Sequence, residues 1–163
     1  MLNKLKHLLK RNKTSSLCQI YTAKKGGADM ISHDQIDVLA NIGLLNDRYA
    51  TQKGYWHHVE SCQVTLISLE DINHIEKKSK LSMQNGLHRR NLVISNISSR
   101  RLEGKTFQLG SAIFKYEKPR PPCGYIDSIA GKGVAKALGR NSGICLQVLQ
   151  SGSIHIGDRL IFQ

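Results

Sequence analysis

The chain has 163 residues, a length that suits one domain of ordinary size and buries roughly 70% of its unfolded surface without help from disulfides or a metal. Its 24 basic and 12 acidic residues leave a net charge of +12, which favours anionic partners: nucleic acid, anionic lipid, phosphorylated cofactors or acidic proteins. Apolar residues make up 40% and aromatic residues 6%, and no run approaches the ~20 apolar residues of a membrane span, so the composition is that of a soluble globular domain.

Residues 1–13 place Leu2, Leu5, Leu8 and Leu9 at helical spacing, with Lys4, Lys6, Lys10, Arg11 and Lys13 between them. Three readings stand side by side: a solvated helical extension, a weak surface anchor, or an amphipathic organellar presequence. We take 1–16 as a basic N-terminal extension and 17–163 as the domain. A short strand is expected over 17–22, a turn at Lys25-Gly26-Gly27, an apolar stretch of unsettled type over 37–42, and loops at 43–49 and 53–54. The β-branched run 63–67 reads as a strand. Ser68 then opens a helix, with Asp71 in the capping-box position, Leu69, Ile72 and Ile75 on one face, and an end near Ser79.

Residues 87–91 lead into a strand over 92–95, and 102–105 form a turn. Strands over 106–109 and 112–117 flank Gly110. The segment 126–138 is helical in its second half, with Val134, Ala137 and Leu138 inward. A loop over 139–143 precedes a strand over 144–149. Turns at 151–153 and 157–158 bracket 154–156, and 159–162 closes the chain. Six or seven short strands, two helices and turn signals every ~8–12 residues predict a mostly β domain, its sheet curled into a barrel.

All three prolines fall in E-K-P-R-P-P-C-G-Y, as Pro119, Pro121 and Pro122. Fixed φ and a missing donor exclude helix interior and central strand, and residues before proline are pushed extended. The result is a stiff loop ending on Cys123, where Gly124 lets the backbone turn or approach a ligand. Lys118 and Arg120 favour a Cys123 thiolate if they face it; a rigid connection with a buried thiol is the plainer reading. Cys18, Cys62 and Cys145 lie in or beside apolar runs, where a thiol acts as a small core hydrophobe. With no C-x-x-C pair and no zinc spacing, the cysteines point to a reducing, cytoplasmic setting. His57 and His58 are adjacent, diverge, and have no third ligand at suitable spacing, so they read as loop histidines near a pocket mouth. The chain has no G-x-S-x-G elbow, no G-x-G-x-x-G and no P-loop.

Five segments occur in order: G-L-L-N-D-R-Y-A from Gly43, Q-V-T-L-I-S-L-E from Gln63, R-R-N-L-V-I from Arg89, the P-R-P-P-C loop, and L-G-R-N-S-G-I-C-L-Q-V-L-Q-S-G-S-I-H-I-G-D from Leu138. Together, over roughly three-quarters of the chain, they resemble the molybdenum cofactor sulfurase C-terminal domain family, called MOSC. The resemblance implies a small β barrel and a pyranopterin molybdenum cofactor (molybdopterin). Cys123 matches the family's cysteine, which ligates molybdenum or carries a persulfide; both roles need the thiolate. Arg89, Arg90 and Asn91 match its R-R-N segment. Arginine suits a phosphate, and alternation at a strand start sends one arginine to the ligand and the other outward; an exposed basic pair is the alternative. Asn91 meets the pterin or holds the turn. Asp47 and Arg48 match a loop in which the position of Asn46 is commonly glycine; they form a structural pair or contact the cofactor. Arg120 in the proline loop counts among the cofactor contacts. Arg140, in the G-R-x-x-G loop, reaches a phosphate or belongs to a plain glycine turn.

The implied activity is sulfur transfer through Cys123, with sulfur supplied by a pyridoxal-phosphate cysteine desulfurase and a molybdoenzyme as acceptor. The alternative is reduction of N-hydroxylated compounds with electrons from a partner protein. Whether the chain is itself an enzyme, a sulfurtransferase or a molybdenum-dependent oxidoreductase, stays open. A nucleic-acid- or lipid-binding module is the reading from another class. Its weakness is that the few aromatics are not interleaved with the basic clusters as a stacking surface requires.

Overall fold

The computed structural model describes residues 13–59 and 61–163. Apart from Lys13, the 1–13 segment expected to be helical lies outside them. Eleven strands are seen among the described residues: β1 Ser16–Thr22, β2 Ile31–His33, β3 Gln35–Leu39, β4 Gly43–Leu44, β5 Val64–Ser68, β6 Leu92–Ser95, β7 Thr106–Leu109, β8 Ala112–Pro119, β9 Ile144–Gln150, β10 Gly152–His155 and β11 Ile161–Phe162. The α-helices are α1 Leu69–Ser79, α2 Tyr125–Ala130 and α3 Val134–Leu138.

Eight strands form one curled sheet in the order β11-β7-β8-β9-β5-β6-β1-β2, and β10-β3-β4 form a second. β1, next to the β2 edge, is tied to the chain just before β11, the opposite edge, by a bridge between Ser16 and Arg159 and by Leu17 N–H donating to the Asp158 carbonyl at 2.8 Å. The β barrel expected from the turn spacing is thus a curled eight-stranded half-barrel, tied across on that side by a few bonds.

The interior holds Leu17, Ile20, Leu66, Leu92, Ile94 and Leu146, with Phe107 and Phe114 stacked at 5.9 Å. Burying each large side chain stabilises by about 1.5–3 kcal/mol. Ile154, Val38 and Leu44 bring the second sheet onto this core. A second cluster lies outside the curl, where Ile67 and Val93 meet Ile72 and Ile75 of α1 and Ile126, Val134 and Leu138 of the later helices. So β5 and β6 are buried on both faces, which explains their unbroken apolar runs. They pair in parallel, and α1 makes the crossover between them. Ser68 caps that helix, its hydroxyl accepting from Asp71 N–H at 3.0 Å, and Lys80 ends it in the left-handed region.

The segment 126–138 differs from expectation: its first half is also helical, and Gly131 and Gly133 at positive φ split it into α2 and α3. Pro119 is the last residue of β8 rather than part of the loop, at a strand end where proline is tolerated. No helix among the described residues is long and apolar enough to cross a membrane.

Candidate functional site

The functional side chains come from four stretches of chain. After β4 the backbone turns at Asn46, with φ +62, so asparagine does take the turn where glycine is common. Asp47 follows, fully buried. Its Oδ1 accepts from Ala23 N–H at 3.0 Å and from Arg48 Nη1 at 3.2 Å, and its Oδ2 from Tyr49 N–H at 3.2 Å. Asp47 therefore aims Arg48, whose Nη2 donates to the Arg89 carbonyl at 2.9 Å and whose guanidinium lies 4.5 Å from the centre of the Tyr49 ring.

The second stretch runs into β6. Arg89 and Arg90 are both buried, and both line the same cleft. The alternation expected of neighbours at a strand start fails because Arg89 precedes the strand and sits at φ +62. Arg89 Nη1 donates to the Ala28 carbonyl at 2.6 Å, while Arg90 Nε and Nη2 donate to the Ser142 carbonyl and hydroxyl, each at 2.6 Å. Burial, and then the charge of Arg48, brings Arg89 down to about 10; burial brings Arg90 down to about 10 as well. Both remain cations at neutral pH. Their named acceptors are neutral groups, so they keep excess positive charge for an anion. His88 supports the turn: its Nδ1 accepts from Arg90 N–H at 3.0 Å. Burial first, then Arg90 and Arg89, lowers His88 to about 3, and the neutral ring is the form that accepts.

Asn91 is turned inward. Its Oδ1 accepts from the Thr65 N–H and hydroxyl at 3.0 and 2.9 Å, and its Nδ2 donates to the Tyr21 carbonyl at 3.0 Å. It ties β5 to β1 and does not line the cleft, and neither does Asp47. Of the two readings given for each, these contacts are those of the structural one.

The third stretch is the proline loop. Arg120 N–H donates to the Gly143 carbonyl at 2.9 Å, which fixes the loop as it leaves β8. Arg120, Pro121, Pro122 and Cys123 then line the cleft with Arg48, Arg89 and Arg90. Cys123 is half-buried, and its carbonyl accepts from Ile126 N–H at 3.0 Å as α2 begins. Lys118 points its influence elsewhere: it lies beside Cys145 across the β8–β9 pair, and its charge favours the thiolate of that residue. Arg140 lines a neighbouring cleft with Asp71, Ser99 and Asn141, which also reaches Arg120 but not Cys123.

The last wall is aromatic. Tyr55 and Tyr125 stack at 3.6 Å, and Trp56 meets Tyr55 edge-on at 4.8 Å. Tyr49 lies between Arg48 and Arg120, the latter 5.9 Å from its ring centre. None of these rings was singled out from the sequence. Their signal was the clustering of Tyr49, Tyr55 and Trp56 within a glycine-punctuated loop. His57 donates to the Gly54 carbonyl at 2.7 Å and lies with His58 in the adjoining outer cleft. Among the described residues no three His, Cys, Asp or Glu side chains gather as a metal-binding group.

Four guanidiniums, one accessible sulfur and an aromatic wall thus share one cleft. The arrangement can hold an anion with a flat ring system and offer it a single soft ligand.

The fold is similar to solved structures. Against the YuaD protein of Bacillus subtilis the TM-score is 0.73 at 17% identity, covering 90% of this chain and 94% of that one. Against YiiM of Geobacillus stearothermophilus it is 0.68 at 16%, covering 91% and 75%, and against YiiM of Escherichia coli 0.64 at 16%, covering 91% and 69%. No curated protein matches the sequence. The MOSC domain profile matches residues 53–161, a span from the glycine loop before the aromatic wall, through the arginine pair and the proline loop, to the last strand. On that match the chain belongs to the MOSC domain family, which is associated with the molybdenum cofactor.

Proposed function

We propose that the cleft binds the molybdenum cofactor and that Cys123 is the reactive atom, a carrier of sulfur. The observation that supports this is the sharing of one cleft by Cys123 and the guanidiniums of Arg48, Arg89, Arg90 and Arg120. The donor set fits the group: a thiolate suits molybdenum as a soft ligand, and planar, cationic forks suit a terminal phosphate. When bound, the cofactor would supply a metal centre able to take up sulfur and to exchange electron pairs.

The residues of the chain do the rest. The Cys123 thiolate attacks the outer sulfur of a cysteine desulfurase persulfide. A sulfur–sulfur bond forms at Cys123, the donor's sulfur–sulfur bond breaks, and the donor leaves as a thiolate. No net electrons are exchanged. Cys123 then holds a persulfide beside the arginine-lined anion site, ready for a molybdoenzyme acceptor. The second reading, reduction of N-hydroxylated compounds with electrons from a partner, draws on the stacked Tyr55–Tyr125 wall, which suits a flat heteroaromatic ring.

Alkylation mapping of Cys123 tests this in protein made with and without a working cofactor pathway. Equal reactivity, with persulfide appearing when a desulfurase and cysteine are added, is the outcome for a carrier. Protection only in the cofactor-competent host, with molybdenum bound, is the outcome for a standing metal ligand and the reductase. An unreactive Cys123 in both preparations, with no metal and no persulfide, overturns both.

A further inference from the structure

The other buried sulfurs form a pair that the cofactor chemistry does not use. Cys62 and Cys145 are 83 residues apart, yet the Cys62 thiol donates to Cys145 Sγ at 2.7 Å. The antiparallel pairing of β5 with β9 brings them together, with Thr65 opposite Cys145. Both are free thiols. They differ in access. Cys145 is fully buried, whereas Cys62 is 9% exposed and lines the outer cleft with Trp56, His57 and His58. Cys62 is therefore the sulfur a small reagent can reach, and Cys145 sits behind it.

We propose that Cys62 and Cys145 form a reversible dithiol–disulfide couple, a redox site separate from Cys123 that hydroperoxides and low-molecular-weight disulfides oxidise.

The local charges suit such a couple. The bond from Cys62, then Arg120, Lys118 and Arg90, favour the thiolate of Cys145 against the cost of its burial. The bond to Cys145 and then burial push the Cys62 thiol well up, so Cys62 reacts through the minor form in which its proton has crossed the short S–H···S contact to Cys145. Cys62 then attacks the outer oxygen of a hydroperoxide, the O–O bond breaks, and the leaving oxyanion takes a proton from solvent to depart as an alcohol or water, with Cys62 as a sulfenic acid. Cys145 attacks that sulfur, a sulfur–sulfur bond forms, and its proton leaves with the hydroxyl as water. The two thiols lose two electrons and two protons, and the hydroperoxide is reduced by two electrons. With glutathione disulfide, the same two attacks release two molecules of the thiol. Oxidation changes the sulfur that feels the charges of Arg90 and Arg120, so the state of the couple reaches the cleft that carries Cys123.

The full-length protein is exposed to hydrogen peroxide or glutathione disulfide, then denatured, alkylated and mapped by mass. Wild type and Cys123→Ser should each lose about 2 Da, with the Cys62 and Cys145 peptides linked and separated again by dithiothreitol. Cys62→Ala and Cys145→Ala should show no such loss. Closing so long a loop should raise the wild-type Tm by roughly 5–10 °C. Persistent alkylation of both Cys62 and Cys145 after oxidant, or a link that runs through Cys18 or Cys123, overturns the proposal. The wild-type peptide map decides this by itself if an alanine variant fails to fold. Cofactor loading is not a readout, so the result is independent of the function proposed for Cys123.

Discussion

Arg90 grips Ser142 twice, through its carbonyl and its hydroxyl, and so joins the entry of β6 to the loop before β9 across 52 residues. The cleft keeps its shape through this clamp, because the same loop receives Arg120 N–H at Gly143. Ser142→Ala deletes one charge-assisted bond from a buried cation and should cost about 1.5–3 kcal/mol, lowering Tm by roughly 3–10 °C. Arg90→Ala should cost more, since it leaves the buried Ser142 groups without their donor. An unchanged Tm in Ser142→Ala would show that the clamp does not hold the fold.

His88 gives the fold a pH dependence of known sign. Its folded pKa of about 3 lies below the unfolded value near 6.5, so the unfolded chain takes up the proton first. The contribution to stability is fully present above pH 6.5 and is lost as pH falls from there toward 3. Between pH 6.5 and 4.5 the loss should be about 2–3 kcal/mol. His88→Asn keeps an acceptor for Arg90 N–H without the titration. Denaturant unfolding at the two pH values should show a smaller drop for this variant, and equal drops would exclude His88 as the source.

Gly143 is required by close approach. A Cβ there would overlap the Leu66 carbonyl oxygen, and φ is +88. Gly143→Ala should therefore cost about 2–4 kcal/mol. Gly124, beside Cys123, is different: its φ is −59 and a Cβ meets nothing within 4 Å. Gly124→Ala should leave Tm within a degree or two. If the two variants melt alike, the packing argument fails.

The arginine cluster should set cofactor retention. Arg89→Gln removes one cation from the cleft while Arg90 keeps its grip on Ser142. Loss of a charge-assisted bond to phosphate should weaken retention by about 1.5–3 kcal/mol, one to two decades in affinity. Pterin fluorescence and metal content of the purified variant measure it, and wild-type retention would move the phosphate away from Arg89.

A chain starting at Thr14 should keep the Tm of the full chain within a few degrees. The Thr14 carbonyl accepts from Asn96 Nδ2 at 3.0 Å and the Ser15 carbonyl from Leu160 N–H at 2.9 Å, so packing onto the sheet is in place from there. A large fall would mean that earlier residues pack on the domain.

Local patterns were legible in the sequence. The β-branched run before Ser68, the Ser68 cap and the Leu69–Ile72–Ile75 face determined β5 and α1 without reference to any other part of the chain, because capping and periodicity act over a few residues. The proline loop with Cys123, and the arginine pair before β6, were visible for the same reason. Tertiary structure decided what these pieces face. Pairing of β9 with both β5 and β8 sets Cys145 against Cys62 and Lys118, and no local signal carries that register. A left-handed residue at Arg89 turns both arginines into the cleft, where alternation had separated them. Asn91 and Asp47 were drawn inward because buried backbone groups needed them more than the cleft did: the N–H groups of Ala23, Tyr49 and Thr65 take their oxygens, and the Tyr21 carbonyl of β1 takes the Asn91 amide N–H. The residue types that make this site are local choices; their convergence is a product of long-range strand register and of the demand that every buried polar group be paired.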